Sequence, residues 1–166
     1  WVRHADVDVG AIRFNLPSDQ TVPALKWDQL AGESKLKAGG LRLADEVWVV
    51  GYPAQLESNS AGFPVLRMGT VASFPLMPIT DYKTFLVAAN TFGGDSGGPV
   101  SVAHSRRSDT HSQRPMVVGL VLGLQRETTK SVTSVEERTF HRPLGLAIVV
   151  HAEYIRQTVE LLLKSQ

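Results

Sequence analysis

The sequence predicts an all-β protein closed by one C-terminal helix. Three observations carry this. Short runs rich in β-branched and aromatic residues recur along the chain, separated by Gly and Pro. Six of these runs lie after residue 45. Only the segment 151–166 switches to a helical period. Evenly spaced short strands with turn punctuation suggest a barrel or a sandwich.

The first run is VGAIRF (9–14). EVWVVGY (46–52) is β-branched and aromatic, and Pro53 ends it. VLRMGTVASF (65–74) alternates weakly, with Gly69 at a bend or bulge. YKTFLVA (82–88) and PVSVA (99–103) follow, then the nearly continuous apolar run MVVGLVLGL (116–124), then LGLAIVV (144–150). In the tail, Ile155, Val159, Leu162 and Leu163 recur at helical spacing and predict an amphipathic helix of about four turns. The polar stretches 104–114 and 125–138 each separate two strands and read as long hairpin loops. The mixed segment 18–40 reads as a connector.

Composition narrows the chemistry. The chain has 166 residues, 43% hydrophobic and 20% charged, which suffices for a core. A net charge of +1 gives no basic field for nucleic acid, so no nucleic-acid partner is expected. There is no cysteine, which removes disulfides, thiolate catalysis and cysteine-ligated zinc. No metal-ligand spacing and no phosphate-binding loop is present, so neither a metal nor another cofactor is expected. No apolar run reaches the roughly 18–20 residues that span a bilayer.

The stretch TFGGDSGGPV (91–100) concentrates the chemistry. Four glycines and a proline frame one Asp-Ser pair between two expected strands. Acyl transfer needs an exposed nucleophile, a base, and N–H donors aimed at the developing oxyanion. Glycines at 93, 94, 97 and 98 free the backbone to present Ser96, with the N–H groups of Gly94 and Ser96 as the oxyanion hole. A tight Gly-rich hairpin with an incidental serine is the plainer alternative.

GDSGGPV resembles the nucleophile motif of trypsin/chymotrypsin-type serine peptidases. The resemblance extends along the chain. DVDVGAIRF (6–14) is similar to the strand that carries the family's aspartate. GLRLADEVWVVGYP (40–53) and RMGTVASF (67–74) are similar to strands of bacterial HtrA-like members. VVGLVLG (117–123) and PLGLAIVV (143–150) resemble the strands beside the specificity pocket. This implies a chymotrypsin-like double barrel: 1–17 as the remnant of a first barrel, 18–40 as connector, 41–150 as a complete six-stranded second barrel, and 151–166 as the C-terminal helix. The implied function is a serine endopeptidase acting on a polypeptide substrate, with a periplasmic or secreted location if the chain is HtrA-like.

Carried over by residue, Ser96 is the nucleophile and Asp8 orients the base, with Asp6 the alternative to Asp8. The base should be a histidine preceding Asp8 by tens of residues. His4 is too close, and His104, His111, His141 and His151 follow in the wrong places. The histidine is therefore expected upstream, with this chain a C-terminal portion of the peptidase that is nearly inactive alone. Asp95 departs from the HtrA-like pattern, which has Asn before the serine, and an arginine is one open choice of partner. The substrate pocket implied is Asn90 at the floor, Leu122, Gly123 and Leu124 along the edge that pairs with substrate backbone, and Leu144 narrowing the mouth. Without an acidic floor, small or medium aliphatic residues are expected before the scissile bond. A non-catalytic binding module of the same fold is the alternative. An α/β-hydrolase esterase is disfavoured, because Pro99 and a strand follow the serine where that fold requires a helix.

Overall fold

A computed structural model describes residues 1–102, 115–133 and 136–165. Eight strands occur among the described residues: β1 Val2–Arg3, β2 Gly10–Ala11, β3 Glu46–Gly51, β4 Val65–Val71, β5 Thr84–Ala88, β6 Pro99–Val102, β7 Met116–Val132 and β8 Glu137–His151. A single long helix, α1, covers Ala152–Lys164. No helix among the described residues is long and apolar enough to cross a membrane.

The last six strands close into one antiparallel barrel in the order β3-β4-β5-β8-β7-β6. Counted from β3, that order is 1-2-3-6-5-4. Closure comes from β3 against β6, with Val47 opposite Val102 and Val49 opposite Val100. Period two explains the lining: Val47 and Val49 of β3, Phe85 and Val87 of β5, and Ala147 and Val149 of β8 are all buried. Trp48, between the two valines of β3, points outward and is exposed. A closed barrel leaves no unpaired strand along its wall.

The expected strand 9–14 is shorter than its composition suggests. Only Gly10 and Ala11 pair, opposite Arg3 and Val2. Val9 is buried in the core, whereas Ile12 and Phe14 are exposed. The connector is partly ordered. Its Trp27–Gln29 turn and its helical stretch Glu33–Gly40 lie against the barrel. Ala31 N–H donates to the Val117 carbonyl at 2.8 Å, and Ala31 and Leu36 are buried.

Two other expectations are corrected. Residues 125–132 and 137–143 are not a loop. They continue β7 and β8 as a two-stranded ribbon in register from Arg126/Pro143 to Val132/Glu137. Its side chains are polar on both faces because neither face meets the core, so the alternation that marks a half-buried strand is missing. The helix also buries a different stripe. Ala152, Tyr154 and Thr158 are the buried residues, while Leu163 is exposed. Tyr154 wins that face because its hydroxyl donates to the Ile79 carbonyl at 3.1 Å, and the Thr158 hydroxyl donates to the Tyr154 carbonyl at 2.6 Å. The stretch 104–114 lies outside the described residues.

His151, at the end of β8, is fully buried beside Phe85, with ring centroids 4.8 Å apart, and neither ring nitrogen has a hydrogen-bond partner. Burial pushes its pKa from 6.5 down to about 4. The folded pKa lies below the unfolded one, so the unfolded chain takes the proton first as pH falls. Stability is full above pH ~6.5 and declines toward pH ~4, by about 3 kcal/mol in total from this group. Urea denaturation at pH 7 and pH 4 should show this loss in the parent protein and its absence in His151→Leu. Equal losses in both would exclude His151 as the source.

Candidate active site

The turn between β5 and β6 is held from below by a buried ion pair. Asp95 is 0% exposed and faces Arg67 of β4 in a two-pronged contact, Nη2 to Oδ1 at 2.5 Å and Nη1 to Oδ2 at 2.9 Å. The Phe92 N–H also donates to Asp95 Oδ2 at 2.8 Å, and Arg67 Nη1 reaches the Asn90 carbonyl at 2.6 Å. One guanidinium therefore binds both the carboxylate and the chain entering the turn. This is the arginine that the sequence left open as a partner of Asp95. Space for the carboxylate comes from Gly51 at the end of β3, where a Cβ would lie 2.6 Å from Asp95 Oδ1.

With Asp95 turned inward, Ser96 turns outward and is exposed. Its hydroxyl donates to the Leu122 carbonyl of β7 at 3.1 Å. The Gly97 N–H donates to the Val121 carbonyl at 2.8 Å, and the Val121 N–H returns to the Gly98 carbonyl at 3.0 Å. Gly94 has φ of +97°, and a Cβ there would be driven into the Tyr52 carbonyl, so only glycine fits. Among the described residues, the N–H groups of Gly94 and Ser96 have no hydrogen-bond acceptor. Two free donors and an exposed hydroxyl thus share one turn.

Of the residues expected to form the pocket, Leu122 touches this turn through the Ser96 hydroxyl. Asn90 is exposed, and its side-chain oxygen lies 3.6 Å from where a Cβ on Gly145 would be. Leu144, next to Gly145, is 49% exposed. Leu122, Gly123 and Leu124 are half-buried along β7, where a bulge at Leu122 interrupts the register with β8. An apolar groove of about 610 Å³ lies elsewhere, between Leu41–Leu43 and Phe74–Met77, and shares no residue with the turn.

Asp8 lies in the β1–β2 connection, 83% exposed, with Arg3 at 3.3 Å. No hydrogen bond or ion pair links Asp8 to the Ser96 turn among the described residues. Asp6 is near Lys83, at 3.9 Å. The described histidines lie elsewhere. His4 accepts from the Asp6 N–H through Nδ1 and meets Gln157 through Nε2 at 3.0 Å, with its ring edge-on to Tyr154. His141 contacts Thr128 on the exposed ribbon. His104 and His111 lie outside the described residues. No group of three or more potential metal ligands occurs among the described residues.

Arg67 and the Tyr52–Gln55 segment are parts of this site that sequence reasoning missed. A signal for Arg67 existed: it shares strand parity with Val65, Gly69 and Val71, the inward-facing set of β4. A cation at an inward position asks for a buried anion. Ala54 and Gln55 hold positive φ values of 52° and 64° beside the turn, with the Ala54 N–H on the Gly93 carbonyl at 2.7 Å. Nothing in their residue types signals that conformation.

No family model, no curated protein and no solved structure matches this chain.

Removing either member of the buried pair strands the other charge. Asp95→Ala and Arg67→Met are each expected to cost about 3–5 kcal/mol. The double variant should cost far less than their sum, because no unpaired charge remains. Urea denaturation of the four proteins reads this cycle. Additive losses would mean that the two residues act separately.

Proposed function

We propose that the chain carries the nucleophile half of a serine endopeptidase of the trypsin-like, HtrA-like type. The observation that carries this is the Ser96 turn: an exposed hydroxyl in a turn with two unpaired N–H donors, fixed by the ion pair of buried Asp95 with Arg67. Ser96 would attack the scissile carbonyl, and the Gly94 and Ser96 N–H groups would hold the oxyanion. The six-stranded order 1-2-3-6-5-4, with the serine between its third and fourth strands, supports a chymotrypsin-like second barrel. Residues 1–17 would then belong to the first barrel, and Asp8 would orient a histidine contributed from outside these 166 residues. The described histidines support that assignment, since His4 and His151 are buried and His141 is on the ribbon.

The pocket reading follows the same residues. Asn90, near Gly145 and Leu144, offers amide polarity and no negative charge to pair with a cationic side chain. Small or medium aliphatic residues before the scissile bond suit it better.

A polypeptide-binding module on the same fold is the second reading. It is favoured by two observations: the Ser96 hydroxyl is bonded to the Leu122 carbonyl, and Asp8 is paired with Arg3. The two readings separate on chemistry. In the complete protein, a fluorophosphonate probe is expected to add one adduct, seen by intact mass and lost in Ser96→Ala. Absence of an adduct on folded, complete protein would leave the binding module. An adduct that survives Ser96→Ala would mean that the nucleophile is another residue.

A further inference from the structure

We infer that β7 beyond Leu124 is a docking edge for an extended polypeptide segment of up to about eight residues, added as a third strand to the β7–β8 ribbon. The conclusion goes past the short Leu122–Leu124 stretch of the proposed cleft. It rests on the peptidase reading only for where a bound chain would be cut.

The first argument is backbone accounting. β6 pairs with β7 only as far as Leu120, opposite Pro99. The Ser96 turn then satisfies Val121, and the Ser96 hydroxyl takes the Leu122 carbonyl. From Leu124 to Val132, β7 pairs with β8 on one side alone among the described residues. The Leu122 carbonyl faces the serine side, so period two puts the backbone groups of Leu124 on that same edge, and past the register shift between Gln125 and Arg126 one alternate set of residues from 126 to 132 lines it. This is an unpaired ladder that begins at the candidate nucleophile and runs roughly 30 Å outward.

The second argument is stability. An isolated two-stranded ribbon is marginal in water, and a third strand is what stabilises it. Residues 125–132 and 136–144 are exposed throughout, so no core supports this ribbon. Of its two edges, the β8 edge is blunted at the base, beside the barrel. Pro143 has no N–H to give, Gly145 breaks the strand at φ of +71°, and its carbonyl is already taken by the Ala89 N–H at 3.0 Å. The β7 edge from Leu124 to Val132 contains no proline. An antiparallel partner on β7 would lay its upstream residues toward the ribbon tip and bring its downstream end to Ser96. Recognition would run through backbone groups and would tolerate varied sequence.

Binding tests this without cleavage. The complete protein carrying Ser96→Ala would be titrated with fluorescein-labelled, proline-free Ser/Thr/Val/Lys peptides of about four and about twelve residues, read by anisotropy. The longer peptide should bind at least roughly tenfold tighter, the gain of two or three net hydrogen bonds. N-methylation of alternate residues should abolish the gain in one register and spare it in the other. Of Thr128→Pro and Thr129→Pro, the one that removes a donor from the open β7 edge should reduce the long peptide to short-peptide affinity, and retention of the gain in both overturns the inference. Equal affinity of the two lengths, or indifference to N-methylation in both registers, overturns the inference. Neither outcome bears on probe labelling of Ser96, which judges the peptidase reading separately.

Discussion

The pair between Arg67 and Asp95 is the constraint on which the candidate site depends. A carboxylate without solvent exposure needs a counter-charge and hydrogen bonds, or it does not stay ionised. Here the guanidinium supplies two contacts and the Phe92 N–H a third. Because Arg67 projects from β4 and the carboxylate fits against Gly51 of β3, the turn is tied to two adjacent barrel strands. Turning Asp95 inward forces its neighbour Ser96 outward. The exposed hydroxyl therefore follows from where the charge is buried.

Much of this was legible in the sequence, and the parts that were not have physical reasons. The strands with one buried face declared themselves through Val47 and Val49 or Phe85 and Val87. The ribbon did not, because Thr128, Lys130 and Ser131 alternate among polar residues that meet solvent on both faces. The helix was visible as a helix, but its buried stripe was misjudged. Tyr154 and Thr158 gain that face by hydrogen bonds to backbone carbonyls, which hydrophobic periodicity does not register. The GGDSGG turn was legible because glycine marks backbone requirements directly, as Gly94 illustrates. Its anchor Arg67 was hidden by distance in sequence, 28 residues from Asp95.

The two parts of the molecule differ in self-sufficiency. The barrel closes on itself and buries its own lining. The segment before residue 27 contributes Val9 to the core and leaves Ile12, Phe14, Val22 and Leu25 exposed. The elements of the proposed mechanism divide along the same line: nucleophile and oxyanion donors belong to the barrel, and Asp8 belongs to the N-terminal hairpin. His4 joins that hairpin to α1 through Gln157 and Tyr154, so it acts as a structural pin there.

Most backbone groups in a folded chain find partners, so those left open are informative. In the described part of this barrel, open donors at Gly94 and Ser96 sit within one turn, and the open edge of β7 starts where that turn touches Val121 and Leu122. The two sets are joined through a single bond, from the Ser96 hydroxyl to the Leu122 carbonyl. A polypeptide laid along β7 would compete for that carbonyl and release the hydroxyl at the same step. In the proposed cleft, docking along β7 and release of the Ser96 hydroxyl would then be one step, because both draw on the same carbonyl.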